Sequence, residues 1–332
     1  MKNHQETRPS GSLDQPPLSG LTTFGRLPYT TDINDQEIDL AILGIPFDSL
    51  VTFRPGARFG PNAIRQSSVL CRNYSQQMEV EVYDRLRCFD VGDVNVSPFD
   101  YEETFRQIEK HVSQLQRRGA AVVSLGGDHS ILLPILRATS RQYPQLTVIQ
   151  FDAHTDTSDE GWGQKFHHGT PVRRAIEEGL VQGHHIFQIG IRGSVGSAHY
   201  HDFVKQAGIH ILDMPAFHDQ KLRGEFLEHL HKVAGAGPCY LTFDVDGVDP
   251  AFAPGTGTPV VGGLTSFEAL DLMRSFKGLH FIGGDVVEVA PAYDCSQITA
   301  LLGAAIAFEI AALIAIARPP EPNPAPECPP SL

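Results

Sequence analysis

Cysteine is scarce in this chain: five in 332 residues, at positions 71, 88, 239, 295 and 328, scattered and never paired at metal-ligand spacing. That excludes a disulfide scaffold and a thiolate zinc site, and it points to a reduced compartment, with a cytoplasmic location as the expectation. Basic residues are also short. Lys and Arg number 26 against 39 Asp and Glu, a net charge of −13, which argues against nucleic acid, whose binding rests on clustered cations; a small cationic molecule suits the field better. Met1 to Gly20 has no apolar stretch of the secretory kind. Long apolar runs are otherwise limited to Leu301 to Ala317, which carries Glu309 and many alanines and reads as a buried core helix in a protein with no membrane partner.

What remains has the composition of a globular domain, 41% hydrophobic and 20% charged. No linker interrupts residues 39–317, read as one catalytic domain. Residues 1–38 are polar and hold Pro9, Pro16 and Pro17, and residues 318–332 are rich in proline; both are expected as loose extensions, except that the aromatic ends of Phe24 to Tyr29 could dock on the domain.

Short β-branched runs recur at Leu40 to Ile45, Ala121 to Leu125, Leu146 to Phe151, His185 to Ile191, His210 to Leu212, Tyr240 to Val245 and His280 to Val289. They are continuously apolar and not alternating, as in strands buried on both faces. Helix-like stretches lie between them, such as Glu102 to Arg118 with Phe105, Ile108, Val112 and Leu115 at helical spacing. The expected fold class is therefore α/β, three layers (α/β/α) around a mainly parallel sheet, with the ligand site beyond the carboxyl ends of the strands.

The polar residues gather at those ends. In Phe151-Asp152-Ala153-His154-Thr155-Asp156, the three potential ligands Asp152, His154 and Asp156 project the same way in an extended chain. Asp244 and Asp246 repeat the two-residue spacing after another buried run, where alone they could equally be a turn or capping pair. In Leu125-Gly126-Gly127-Asp128-His129, two glycines permit a sharp strand-to-helix turn; a phosphate cradle is the competing reading, but there is no Walker lysine and no G-x-G-x-x-G. Asp128 could orient a ligand or cap the helix. Two histidines and four aspartates, without sulfur, suit hard divalent ions, Mn²⁺ foremost with Ni²⁺ or Co²⁺ as alternatives. Four carboxylates balance two such ions, and a pair of ions lowers the pKa of a shared water toward about 7, so hydrolysis is the expected reaction.

The motifs GGDHS, FDAHTDT, FDVDGVDPAFAPGTGTPVVGGLT and GGDVVEVAPAYD, in this order, resemble the signature of the arginase/agmatinase ureohydrolase family over roughly residues 24–310, and the C-terminal motifs are similar to the agmatinase branch more than to arginases. The resemblance implies an arginase-like fold, a binuclear metal site of His129, Asp152, His154, Asp156, Asp244 and Asp246, and a homo-oligomer, trimeric or hexameric. It implies that Glu288 pairs with the substrate guanidinium and that His168 carries a proton to the leaving amine, with His167 beside it hard to separate on chemistry alone. The metals and nearby carboxylates, Asp156 among them, would steady the tetrahedral intermediate. The implied reaction is agmatine to putrescine and urea, with guanidinobutyrase, guanidinopropionase or guanidinase activity as alternatives; a homologue without turnover or one subunit of a hetero-oligomer is the reading outside catalysis. Loops Ser158 to His167, Gly193 to His201 and Asp48 to Arg58 would meet the substrate tail, where Arg54, Arg58 or Arg192 could hold a carboxylate and Trp162 could cap a cation.

Overall fold

A computed structural model describes residues 19–34 and 36–318. Eight strands form its sheet: β1 (Leu40–Ile45), β2 (Cys88–Asp93), β3 (Ala121–Gly126), β4 (Thr147–Phe151), β5 (Ile186–Ile189), β6 (His210–Leu212), β7 (Pro238–Asp244) and β8 (His280–Val287). Their spatial order is β2-β1-β3-β8-β7-β4-β5-β6, with every pairing parallel. The alternation of side chains along each strand divides the core in two. Leu40, Ile42, Val123, Leu125, Ile149, Phe151, Leu241 and Phe243 face one layer, whereas Ala41, Leu43, Ile45, Val122, Val148 and Tyr240 face the other.

Helices Gly60–Ser67, Gln220–Ala234, Ser266–Arg274 and Ile298–Ala317 cover the first face, and Tyr101–Arg117, Leu132–Gln142 and Pro171–Glu177 the second. Helix Tyr101–Arg117 starts where Asp100 accepts from the Glu103 N–H at 2.9 Å, and buries the stripe Phe105, Ile108, Val112 and Leu115. Ile298–Ala317 is long and apolar enough by composition to cross a membrane, but it packs along β8 with most of its residues buried. Its one acid, Glu309, accepts from Arg274 Nε at 3.0 Å.

Strand β2 is absent from the apolar runs of the sequence. Its end, Asp90-Val91-Gly92-Asp93, is polar because Arg65 reaches across to Asp90 (2.8 Å) and Asp93 (2.6 Å). Asp90 also accepts from the Phe24 N–H at 2.8 Å. Phe24 and Leu27 are buried in the core, so this part of the segment expected as an extension docks on the domain, while Tyr29 stays half exposed beside Asp90. The remaining tail residues, 1–18 and 319–332 with Cys328, lie outside the described residues.

Candidate metal centre and substrate pocket

The four central strands, β3, β8, β7 and β4, end side by side, and each delivers polar groups to the same point. After β3, Gly127 makes the turn: a Cβ there would stand 2.3 Å from Phe47 O and 2.6 Å from Ile45 O, so only glycine fits. Asp128 then caps the next turn, accepting from Ser130 N at 2.9 Å, and accepts from Leu50 N at 3.1 Å. His129 follows, 1% exposed. Gly247 likewise lets the end of β7 close on β4, since its Cβ would lie 2.8 Å from Asp152 N.

The structure brings the six expected ligand residues together, five of them in two overlapping groups and Asp156 beside His129. His129, Asp152 and Asp244 form one; Asp152, His154 and Asp246 form the other. His129 Nδ1 is 3.1 Å from Asp152 Oδ2, 2.8 Å from Asp156 Oδ2 and 3.4 Å from Asp244 Oδ2. His154 Nδ1 is 3.1 Å from Asp246 Oδ2 and 3.4 Å from Asp152 Oδ1. Although His129 Nδ1 and Asp156 Oδ2 are close and buried, neither is aligned to hydrogen-bond the other or anything else. Buried polar atoms are almost always paired, so these converging, unpaired lone-pair atoms fit a cation between them.

The electrostatics agree. Burial, and then the neighbouring Asp246 and Asp152, push the Asp244 carboxyl well above its usual range; burial and Asp152 raise Asp156 to about 6. Burial works against charge on His129 and His154, yet the surrounding carboxylates win and drive both histidines toward protonation. The cluster demands positive charge, which divalent ions supply. Asp156 (φ 52°) and Glu288 (φ 64°) both adopt left-handed backbone, a conformation that costs about 1–3 kcal/mol and persists where the surroundings hold it.

Behind the ligands lies a set of supports that sequence reading missed. The Thr242 hydroxyl accepts from His129 Nε2–H (2.8 Å) and donates to Asp285 Oδ1 (2.7 Å), while Tyr240 OH donates to Asp285 Oδ2 (2.8 Å). In the neutral ring that a bound cation requires, this chain places the hydrogen on Nε2 and leaves the Nδ1 lone pair facing the cluster. Gln150 Nε2 donates to Asp152 Oδ2 (2.7 Å) and Thr258 Oγ1 to Asp246 Oδ2 (3.1 Å).

In front of the cluster is a cavity of about 250 Å³ lined by Thr52, His129, His154, Asp156, Ser158, His167, His168, Tyr200, Asp244 and Thr258. Glu288 is fully buried behind two of the lining residues, His129 and His168. Its Oε1 accepts from His129 N and His168 Nδ1, both at 2.9 Å, and its Oε2 has no partner. His168 and His167 differ in environment. Burial disfavours charge on His168, but Glu288 outweighs it and the pKa rises to about 9. His167, whose Nδ1 accepts from Gly169 N at 3.1 Å, is lowered to about 4 by burial and by His168.

The proposed tail-binding arginines are engaged elsewhere. Arg192 spreads its guanidinium over the carbonyl oxygens of Gly190, Asp246, Gly247, Val248 and Val260. Arg58 pairs with Asp48, and Arg54 lies 5.2 Å from the ring centres of both Phe53 and Tyr293. Trp162 is 83% exposed and does not line the cavity.

Known proteins share this fold and much of this sequence. The Arginase family profile matches residues 38–313. The chain is 42% identical over 314 residues to guanidinopropionase of Pseudomonas aeruginosa, covering 94% of this chain and 98% of that one. It is 41% identical over 291 residues to mitochondrial agmatinase of Gallus gallus, covering 88% and 85%. The solved structure of proclavaminate amidinohydrolase from Streptomyces clavuligerus superposes with a TM-score of 0.86 at 37% identity, over 92% of this chain and all of the other. The family depends on a binuclear metal centre, and the His/Asp cluster here has the donors to bind one. With the fold, the cluster and the matched length in agreement, the chain belongs to the arginase family of ureohydrolases, enzymes that hydrolyse C–N bonds of small guanidino compounds.

Proposed function

We propose that this enzyme hydrolyses agmatine to putrescine and urea, using two divalent ions, Mn²⁺ foremost, at His129, Asp152, His154, Asp156, Asp244 and Asp246. The observation that carries the substrate is the lining of the small cavity against the cluster, which among the described residues contains no Lys or Arg, whereas Arg192 and Lys205 line a wider cleft that adjoins it at His154 and Tyr200. Identity does not separate the candidates, since the guanidinopropionase and agmatinase relatives stand at 42% and 41%. A guanidino acid brings a carboxylate that calls for a cation, and Arg192, which touches the Asp246 backbone, is saturated by five backbone carbonyls. An ammonium tail needs only the acceptors that Thr52, Ser158 and Tyr200 present.

When bound, the two ions supply a water activated for attack at neutral pH. The residues do the rest. Glu288 Oε2, buried and unpaired, accepts from the guanidinium and turns its carbon toward the cluster. Asp156 places a carboxylate beside that carbon, where it steadies the charge of the tetrahedral species. His168, on the far oxygen of Glu288, moves the proton that the departing amine requires.

The test is urea release after loading with Mn²⁺, and separately Ni²⁺, against agmatine, 4-guanidinobutyrate, 3-guanidinopropionate, arginine and guanidine. We expect kcat/KM for agmatine to exceed the others by about tenfold or more, the equivalent of one charged contact. A guanidino acid turning over faster would overturn the substrate and keep the reaction; no urea from any compound would overturn both.

A further inference from the structure

Four histidines gather away from the metal centre, at the amino ends of the outer strands. His184 and His185 lie in the turn before β5, His210 opens the edge strand β6, and His229 stands on helix Gln220–Ala234. His210 Nε2 is 3.3 Å from His229 Nε2 and 3.2 Å from the His184 carbonyl oxygen. The His210 ring stacks on Phe187 with centroids 4.6 Å apart, and the His229 ring meets it edge-on at 4.5 Å and 73°. As hydrogen bonds, the two short contacts conflict. A neutral imidazole Nε2 carries either a hydrogen or a lone pair, so His210 cannot donate to His184 O and accept from His229 at once. Burial lowers the His210 pKa, and the neighbouring His229, His184 and His185 lower it further against the pull of the His184 carbonyl. The ring is therefore neutral at neutral pH, the form that ligates metals.

We propose that these residues form a further metal site, separate from the catalytic cluster, for a borderline divalent ion of the Ni²⁺, Zn²⁺ or Cu²⁺ kind, with His210 Nε2, His229 Nε2 and His184 O as its protein ligands. An ion takes lone pairs from all three atoms and so removes the conflict between the two contacts. The spacing fits as well: two nitrogens bound at about 2.0–2.1 Å and a tetrahedral angle stand about 3.3 Å apart. Each imidazole keeps its single hydrogen on Nδ1, so no proton has to leave, and water fills the open position. The His229 side chain is exposed and is free to turn its lone pair toward the point that His210 faces. Imidazole donors without a carboxylate suit such ions better than Mn²⁺, whereas the carboxylate-rich cluster accommodates Mn²⁺. The role is structural. β6 is the outermost strand on its side of the sheet, and the ion ties it to the covering helix and to the turn before β5, securing an edge of the kind that otherwise pairs with other chains. The site does not depend on the reaction proposed above.

The test compares the full chain with His210→Gln and His229→Gln, each dialysed at micromolar free Ni²⁺ and separately at micromolar free Mn²⁺, with bound metal counted by elemental analysis. With Ni²⁺ the wild type should hold one ion more per chain than either variant, and with Mn²⁺ the three proteins should hold the same amount. Binding to the folded state alone raises the melting temperature, so the rise in Tm that Ni²⁺ produces should be smaller in both variants. Anomalous scattering at the nickel edge from wild-type crystals should place a peak within bonding distance of both Nε2 atoms, which decides the matter even if a variant fails to fold. Equal Ni²⁺ content in the three proteins, or extra Ni²⁺ whose peak lies away from His210 and His229, overturns the site. An ion that appears there only at millimolar Ni²⁺ is adventitious surface binding and overturns it too.

Discussion

Replacing Thr242 by Val tests whether the groups behind the cluster set its affinity for metal. Val matches Thr in shape but not in polarity. The substitution strips His129 Nε2–H of its acceptor and Asp285 of one of its two hydroxyl donors, in a region where both residues are buried. A buried polar group left unpaired costs about 1–3 kcal/mol, so two of them should lower the stability of the metal-free protein by about 2–5 kcal/mol, read by urea unfolding. Freed of its partner, the imidazole also loses its fixed tautomer, and loss of such a support typically weakens metal binding by about 10–100-fold. The two groups of ligands should respond differently, because His129 belongs to one and His154 to the other. Metal content after dialysis against graded chelator should show one ion released earlier than in the wild type and the other unchanged, with Thr242→Ser close to wild type. Identical release curves for Thr242→Val and wild type would refute the argument.

Asp152→Ala and Asp246→Ala should each lower bound metal, measured by elemental analysis, and abolish urea release; full activity in either would sink a binuclear mechanism. The contact between His168 and Glu288 predicts a pH dependence in the metal-free protein. The folded-state pKa of about 9 stands above the ordinary 6.5, so the stabilisation is complete below about 6.5 and is lost as pH rises through about 9. The stability difference between wild type and His168→Gln should accordingly shrink from pH 6 to pH 10, and a constant difference would count against it. Arg192→Met should destabilise the fold by about 2–4 kcal/mol by leaving carbonyls without their donor, whereas a stable variant with raised KM for a guanidino acid would make Arg192 a substrate contact after all. Gly127→Ala should cost more than about 2 kcal/mol in chemical unfolding, since its Cβ meets two backbone oxygens; a neutral effect would mean the turn can relax.

The sequence reading marked the seven apolar strands and the six acidic and histidine residues that cluster beyond their ends for the same reason. Buried parallel strands write themselves as β-branched runs, and charged residues stand out where those runs stop. It missed β2, an edge strand whose carboxylates only make sense once Arg65 is seen beside them. Tyr240, Thr242 and Asp285 passed as members of apolar runs, because their partners lie on other strands far along the chain. Thr52 carried no local signal at all; its partner His168 is 116 residues away. Arg192 offered a positive charge near the site, and only the geometry shows that backbone carbonyls consume it.

The order of the central strands also has a consequence for how the chain reaches this state. β8 is the last strand made, yet it lies between β3 and β7, pairing Val122 with Gly283 on one side and Phe243 with Val286 on the other. Pairings between segments so distant in the chain form slowly, and until β8 inserts, β3 and β7 present bare inner edges of the kind that promote aggregation. Glu288 arrives only with that strand, and His129 gains its Thr242–Asp285 support only then. Metal capture should thus be among the final events of folding, an indicator that the last strand has closed the sheet.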